Sequence, residues 1–289
     1  MIKQLHRFEG WYYKHQTKQH SIAFIAGRAD DCAFVQVVTD TQAYIVHYPL
    51  EQYRRCGQMV AIGDNIFSPR GVKVDISTES LRLQGRLCYG KLTPISGDIM
   101  GPFRFFPMEC SHGIVSMNHK VSGSVAINGQ TLDFTGGRGY IESDSGKSFP
   151  RDYTWVQCND WDGCSVMVAV ARIPFAKMQF WGCIAVVSLR GKEYRLATYK
   201  GVKIIKCSRE QIVLQQGKYR LEVNFDNQAL GSLKEAGHSL AAPKDGKMSH
   251  TIRENLSCSA RFRFTHKGKV LFDGQSNRAS REWEMYSLP

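Results

Sequence analysis

Two carboxylates stand two residues apart in the segment "GRGYIESDSG", at Glu142 and Asp144. In an extended strand, side chains at this spacing lie on the same face, where the like charges raise the pKa of one carboxyl. A carboxylic acid that stays protonated near neutral pH can act as a general acid. Asp, Ser and Gly are also the usual residues of solvated turns, and the spacing alone favours a turn.

Two other short segments carry an aromatic residue and two hydrogen-bonding residues at every second position. Such residues share one face of an extended strand, and this combination is typical of a ligand pocket. The alternative is a solvent-facing strand with one exposed aromatic, but the recurrence in both halves of the chain favours a pocket. The residues are Trp11, Tyr13 and His15 in "WYYKHQ", and Trp155, Gln157 and Asn159 in "WVQCND".

The segment "PMECSHGIVSMNHKVSG" adds two histidines, His112 and His119, which are seven residues apart. Because seven is an odd number, an unbroken strand places them on opposite faces. Glu109 then shares the face of His119, and Asn118 shares the face of His112; both are candidate ligand-binding residues. No third ligand stands at helical or hairpin spacing, and no cysteines form a CxxC pair. We therefore predict no bound metal.

The elements that carry these residues are predicted to be almost entirely β-strands. Short β-branched or alternating segments such as "SIAFIAGRA", "AFVQVVT" and "SVMVAVA" are separated by Gly, Asn, Asp and Ser. Many short strands with regular turns predict an all-β fold of antiparallel barrels or sandwiches. Residues 227–250 lack strand character, and we expect a loop with one helical turn there.

An internal repeat indicates two similar units. The segment "GVKVDISTESLRLQGR" at 71–86 matches "GVKIIKCSREQIVLQQGK" at 201–218 with two one-residue gaps. Looser matches pair "WYYKHQ" with "WVQCND" and "INGQTLDFTGG" with "HKGKVLFDG". The first match is too dense for chance similarity among hairpins, so we predict a duplication, with one β-unit over residues 1–135 and a second over 136–289.

The composition limits the classes of partner. The net charge is +12, but Lys and Arg are spread along the chain without a dense run, so no nucleic-acid partner is expected. Weak attraction to an anionic membrane surface is at least as plausible and would suit a lipid-soluble substrate. Nine cysteines without metal-ligand spacing indicate reduced thiols in a cytosol. We expect a cytoplasmic protein that contacts membranes at most peripherally, since no signal segment or membrane span is evident.

Residues 101–159 resemble the tocopherol cyclase family at "GPFRFFPMECSHGIVSMNH", "GGRGYIE" and "SFPRDYTWVQCN". Moderate matches at "FEGWYYK" and "LAAPKDGKM" extend the resemblance from Phe8 to about Met248. The resemblance implies lipocalin-like units, here duplicated antiparallel β-barrels or sandwiches with a shared or adjacent cavity. It also implies an aromatic-prenyl substrate and a ring closure without a cofactor.

One departure from the family motif lies beside the candidate acids. Family members usually have "GYIEKDWG", whereas this chain has Ser143 at the lysine position and Ser145 at the tryptophan position. Loss of the large aromatic would change the volume of a pocket and remove a face that could stabilise a cation. A pocket can persist there without the tocopherol substrate.

The enzyme hypothesis is that the protein cyclises or hydrates a prenylated or terpenoid lipophilic molecule. The reaction would be of the isomerase or intramolecular lyase type and would start with protonation of an alkene. A carboxylic acid donates the proton, aromatic faces stabilise the carbocation, and a phenol oxygen or water captures it. The candidates are Glu142 or Asp144 as acid, His119 or His112 as base, Trp155, Trp11 or Tyr140 as aromatic faces, and Arg138 to orient an acidic group or pair with Glu142.

Two alternatives stand beside the enzyme. A lipocalin-like cavity can carry a small hydrophobic molecule without catalysis, and a structural β-protein without a ligand is disfavoured by the polar-aromatic strand faces. For the enzyme, we expect Glu142 to face an enclosed cavity near Trp155 and Gln157 and to have a raised pKa. A close pair with Arg138 would instead lower that pKa and make Asp144 the better acid.

Overall fold

The computed structural model describes residues 7–175, 178–226 and 237–285, and these form two antiparallel β-sheets without an α-helix. The predicted all-β class is confirmed. The helical elements of the described residues are three short 3-10 helices, Leu50–Gln52, Gly101–Phe105 and Thr198–Lys200. In the described part of the chain, no helix has the length and apolar character needed to span a membrane.

The first sheet has twelve strands in the order β4-β3-β2-β1-β12-β10-β9-β8-β7-β6-β5, and β11 pairs with β10. The strands are β1 Phe8–Gln16, β2 Ser21–Arg28, β3 Ala33–Thr39, β4 Ala43–Tyr48, β5 Tyr53–Cys56, β6 Met59–Ile62, β7 Asn65–Ser68, β8 Gly71–Ser77, β9 Arg82–Tyr89, β10 Cys110–Ile127, β11 Gln130–Asp133 and β12 Gly137–Gly146.

The second sheet has ten strands in the order β16-β15-β14-β13-β22-β21-β19-β18-β17, and β20 pairs with β21. The strands are β13 Tyr153–Trp161, β14 Cys164–Phe175, β15 Met178–Leu189, β16 Lys192–Ala197, β17 Lys203–Cys207, β18 Gln211–Gln216, β19 Tyr219–Phe225, β20 His238–Lys244, β21 Lys247–His266 and β22 Lys269–Glu284.

Each sheet has a hydrophobic core on one face, built by the strand alternation that the sequence shows. In β8, Val72, Val74 and Ile76 are buried, whereas the side chains between them are exposed. The core cluster of the first sheet joins Phe24 of β2 to Ile62 of β6, although these strands are far apart in the sheet order. The first sheet therefore curls around its core.

The chain divides into two compact units that are not continuous in sequence. The first contains the described residues of Met1–Ile95, Cys110–Phe149 and Leu240–Thr251, and the second those of Ser96–Glu109, Pro150–Ser239 and Ile252–Pro289. This division differs from the expected boundary between residues 135 and 136, because β12 pairs on both sides with strands of the first unit, β1 and β10.

The late segment of the first unit is held there by backbone and side-chain hydrogen bonds. The Gln36 amide donates to the Ala241 carbonyl, and the Ala241 N–H donates back to Gln36 Oε1, each at 2.9 Å. The Gly246 carbonyl accepts from Asp30 N–H, and Gly246 N–H donates to the Lys147 carbonyl. Residues 237–250, expected to form a loop, are thus mostly strand; the rest of that loop prediction, 227–236, lies outside the described residues.

The two sheets share an order of strands, but the densest sequence repeat does not join equivalent positions. In the first sheet, β9 and β8 are the third and fourth strands after β1 on the β12 side. In the second sheet, β18 and β17 are the fourth and fifth strands after β13 on the β22 side. The equivalent of β8–β9 is therefore β18–β19. The looser matches do pair equivalent elements, namely β1 with β13 and the β10–β11 hairpin with the β21–β22 hairpin. The sequence of the β8–β9 hairpin therefore recurs in the β17–β18 hairpin, which lies one strand further from the start of its own sheet order.

Candidate active site

The carboxylate pair lies within a strand and not in a turn. Glu142 and Asp144 belong to β12, which runs between β1 and β10. Ile141 on the same strand belongs to the core cluster, so the alternation directs Tyr140, Glu142 and Asp144 to the opposite face. The pair thus has the strand arrangement and not the turn that its spacing alone favoured, and Arg138 lies two residues before Tyr140 on that face.

Cross-strand register brings a histidine to the two carboxylates. His112 of β10 is directly opposite Asp144, and its Nδ1 lies 2.9 Å from Asp144 Oδ1. Its Nε2 lies 3.6 Å from Glu142 Oε2. Cys110 also contacts Asp144 Oδ1, through its sulfur at 3.7 Å. One imidazole therefore touches both carboxylates, which lets the three groups share protons.

A buried phenol completes this group. Tyr140 is fully buried, and its hydroxyl donates a hydrogen bond of 2.5 Å to Glu142 Oε2. Burial, together with the charge and hydrogen bond of Glu142 and the charge of Asp144, raises the pKa of Tyr140 well above that of a free phenol. Tyr140 consequently stays protonated and fixes the Glu142 carboxylate by donation. On β1, Tyr12 is directly opposite Glu142 and shares this face.

The same three groups could in principle hold a cation. One ligand atom from each of His112, Glu142 and Asp144 lies within 4.8 Å of the other two, and imidazole with carboxylates suits several divalent metals. The prediction of no metal rested on the lack of a third ligand close in sequence. In the folded chain, strand pairing brings Glu142 and Asp144 to His112 and so supplies further ligands. Direct contacts among the three groups also account for the cluster without a cation.

Two β-bulges reset the alternation along β10. The register with β12 shifts between Ile114 and Ser116 and again between Ser116 and His119. An unbroken strand would place Ser116 on the face of His112, but its hydroxyl lies 3.0 Å from His119 Nδ1 instead. A bulge adds one residue to one strand and reverses the faces beyond it. Two bulges restore the parity, so His112 and His119 still point to opposite faces.

His119 belongs to a second cluster, on the core side of the first sheet. Its ring packs against that of Tyr89 at a tilt of 50°, with centroids 4.4 Å apart, and the Tyr89 hydroxyl lies 2.5 Å from His15 Nε2. Burial lowers the pKa of His119 to about 3 and, with the charge of His119, that of His15 to about 3. A histidine with so low a pKa is a weak base at neutral pH. His119 is therefore a poor candidate for the predicted role of base.

Gly139 makes room for that cluster. A Cβ atom at this position would lie 2.2 Å from His119 Nε2 and 2.8 Å from two carbons of the ring. Only glycine lets the histidine ring lie directly over the strand. Gly139 thus accommodates a side chain of the same unit.

The family of the chain follows from comparison with known proteins. A family model described as tocopherol cyclase-like matches residues 80–283, which is more than half of the chain. The chain belongs to the tocopherol cyclase-like family. The family prediction is confirmed, and the matched region contains His112, Glu142 and Asp144.

One curated relative carries the family name, and solved structures share the fold. A rice protein (Oryza sativa subsp. japonica) named "Probable tocopherol cyclase, chloroplastic" is 23% identical over 211 residues, which cover 67% of this chain and 44% of the rice protein. This tocopherol cyclase-like chain thus matches less than half the length of that relative.

Two solved structures cover almost all of the chain at low identity. The crystal structure of CghA with Sch210972 has a TM-score of 0.59 at 9% identity and covers 97% of this chain and 89% of that one. The crystal structure of kievitone hydratase from Nectria haematococca has a TM-score of 0.57 at 11% identity. The match covers 96% of this chain and 88% of that one. These likenesses show the lipocalin-like fold, as predicted.

The two serines that depart from the tocopherol cyclase-like family motif lie on the face of β12 opposite to Glu142 and Asp144. Ser145 is exposed, and the alternation directs it away from the face of Asp144. Ser143 is opposite Trp11 and Gly113 in the register. Neither serine therefore shares the face of the two carboxylates, and the expected effect of the missing tryptophan beside the acid does not follow from this geometry.

Other predicted residues of the first unit lie elsewhere in that unit. Trp11 and Tyr13 belong to the hydrophobic core of the first unit, opposite Ser143 and Ile141 in the register. Asn118 is half-buried, and its carbonyl accepts a hydrogen bond from the Ser116 hydroxyl. The residues that belong to the second unit are Glu109, Trp155, Gln157 and Asn159.

Two tyrosines of the first unit have roles that the sequence did not indicate. Tyr12 joins the carboxylate face through its register with Glu142, and Tyr89 joins the histidine cluster from the end of β9. In the sequence, Tyr12 stands between Trp11 and Tyr13 and alternates to the opposite face. That alternation is the one local signal, since the place of Tyr89 depends on the pairing of β9 with β10.

Proposed function

We propose that the chain is an acid catalyst that cyclises or hydrates a prenylated or terpenoid lipophilic molecule by protonating one of its alkenes. The observation that carries this proposal is the contact of one histidine, His112, with two carboxylates, Glu142 and Asp144, on a strand face that also bears Tyr12 and Tyr140. Membership of the tocopherol cyclase-like family supports the same reaction class.

Asp144 is the proposed proton donor. Its side chain is 20% exposed, compared with 7% for Glu142, so a substrate reaches it more easily. His112 and Cys110 occupy Oδ1, which leaves Oδ2 to carry the acidic proton. When His112 is protonated, its two N–H groups face the two carboxylates.

Glu142 is the proposed partner of the imidazolium. It lies 3.6 Å from His112 Nε2, and the hydrogen bond from Tyr140 fixes its position. A fixed carboxylate stabilises a buried imidazolium, and Glu142 lies where it can do so when His112 is protonated. The aromatic rings of Tyr12 and Tyr140 supply faces that stabilise a carbocation.

The reaction balances without a cofactor. The Asp144 Oδ2 proton moves to the less substituted carbon of a trisubstituted alkene, the π bond breaks, and a tertiary carbocation forms. A phenol oxygen of the same molecule or a water oxygen bonds to the cation. The proton released from that oxygen returns to Asp144. The first outcome leaves the mass unchanged, and the second adds one water.

The test uses the full chain in D₂O with a prenylated hydroquinone and an acyclic terpenoid alkene, and mass spectrometry follows both. We expect a product with one deuterium bound to carbon. Asp144→Asn should lower turnover by about 10²–10⁴-fold, and Glu142→Gln should lower it less. Asp75→Asn is the matched control, because Asp75 is exposed on β8.

Three results would change the proposal. Full turnover by Asp144→Asn would reject this acid, and loss of turnover in Glu142→Gln alone would transfer the role to Glu142. A lipophilic molecule that stays bound through purification and is never converted in the wild-type chain would favour the carrier hypothesis instead. Unchanged circular dichroism of each variant is required before its turnover is compared.

A further inference from the structure

The second unit contains a buried arginine on the core side of its sheet. Arg281 lies in β22, directly opposite Val156 of β13. Val156 belongs to the hydrophobic core, as does Ala279 two residues before Arg281. The alternation therefore directs Arg281 into the interior of the unit, and its exposed fraction is 1%.

The faces of this guanidinium are occupied by aromatic rings, but its edges are not. The central carbon lies 3.6 Å from the centroid of the Phe225 ring and 4.9 Å from that of Trp283. None of the three nitrogens, Nε, Nη1 and Nη2, has a hydrogen-bond partner among the described residues. A guanidinium carries five N–H donors in its plane, so all of them are unsatisfied in an apolar environment.

In the part of the chain that the structure describes, no carboxylate contacts this guanidinium. Burial raises the pKa of Cys207 to about 11, although the charge of Arg281 acts to lower it, so this thiol is neutral. Glu210 interacts with Arg281 only electrostatically, and its carboxylate bonds to the Ser208 hydroxyl.

Another largely buried arginine of the same unit shows the usual arrangement. Arg195 donates to the Glu193 carboxylate and to the carbonyls of Ser96 and Asp98. Buried charges in proteins are normally paired in this way, and a lone guanidinium in a core is costly unless something binds to it.

We propose that Arg281 binds the carboxylate of an apolar ligand that enters the interior of the second unit. A planar carboxylate matches the donor fork of a guanidinium with two parallel hydrogen bonds. The stacking on Phe225 and Trp283 holds the fork in one plane while leaving its donors available. The surrounding aliphatic and aromatic side chains suit an apolar remainder of the ligand. This site belongs to a different unit from Glu142 and Asp144. The proposal therefore does not depend on the proposed reaction.

The experiment compares matched carboxylates and alcohols. Hexanoate, dodecanoate and benzoate are titrated into the full chain by calorimetry at neutral pH, beside hexanol, dodecanol and benzyl alcohol. At least one carboxylate should bind about tenfold or more tightly than its alcohol. Arg281→Met should remove this preference, and Arg281→Lys should retain part of it. Arg263→Met is the matched control, since this arginine of β21 is exposed.

Two outcomes would overturn the proposal. One is that no carboxylate binds the wild-type chain more tightly than its alcohol. The other is that Arg281→Met keeps the preference. If Arg281→Met does not fold, the side-chain N–H signals of Arg281 in the wild-type chain, assigned by their absence from Arg281→Lys, decide the question. They should shift on addition of the carboxylate, and a lack of shift at saturation refutes the assignment.

Discussion

Acid should destabilise the first unit through the buried histidines of the Tyr89 cluster. His15 and His119 have a pKa of about 3 in the folded chain, mainly because of burial, against about 6.5 in an unfolded chain. As the pH falls through 6.5, the unfolded chain binds protons that the folded chain does not. Stability is therefore complete above pH 6.5 and is lost progressively until about pH 3.

The size of the loss follows from these values. Between pH 7.5 and 5, each of the two histidines should lower the free energy of unfolding by about 2 kcal/mol, so that the pair accounts for about 4 kcal/mol. That is a large share of the 5–15 kcal/mol typical of a folded domain. Most carboxylates remain ionised at pH 5, so between pH 7.5 and 5 the change in the free energy of unfolding comes mainly from histidines.

Urea denaturation at several pH values measures the effect, and one substitution separates the two histidines. His119→Gln should reduce the loss between pH 7.5 and 5 by about 2 kcal/mol. His47→Gln, at an exposed histidine of β4, is the control and should keep the wild-type dependence. A wild-type dependence in His119→Gln would show that His119 does not stay neutral in the folded chain, and the argument from burial would fail.

Three further substitutions test other contacts. Gly139→Ala should lower the free energy of unfolding by about 1–3 kcal/mol in urea, because the new methyl displaces the His119 ring. Tyr140→Phe should lower it by a similar 1–3 kcal/mol or so and slow turnover, because Glu142 loses its donor. Burial lowers the pKa of Arg281 from 12.5 to about 10, so Arg281→Met should raise the melting temperature of the ligand-free chain; a fall would mean that stacking outweighs the buried charge.

Local sequence patterns predicted the strands and the faces within a strand. The period of two placed Glu142 and Asp144 on one face of a strand, as the structure of β12 has them. These predictions depend only on neighbours along the chain, where the geometry of an extended backbone leaves little choice.

Contacts between strands could not be predicted in the same way. His112 meets Asp144 across 32 residues of sequence because of the β10–β12 register, and the two bulges that move Ser116 to the face of His119 have no sequence signal here. Arg281, within "SNRASREWEM", has the pattern of a solvent-facing strand residue. Pairing over long distances decides each of these positions, and alternation alone does not.

The interleaved order of the two units has a consequence for synthesis of the chain. Gln36 is buried and bonds both ways to Ala241, so the first unit cannot complete its contacts until more than 200 residues have followed Gln36. A gene fragment that ends at Phe149 would encode the proposed catalytic group but leave the Gln36 amide without its partners. During translation the first unit must wait for most of the second, and no single cut in the gene separates them.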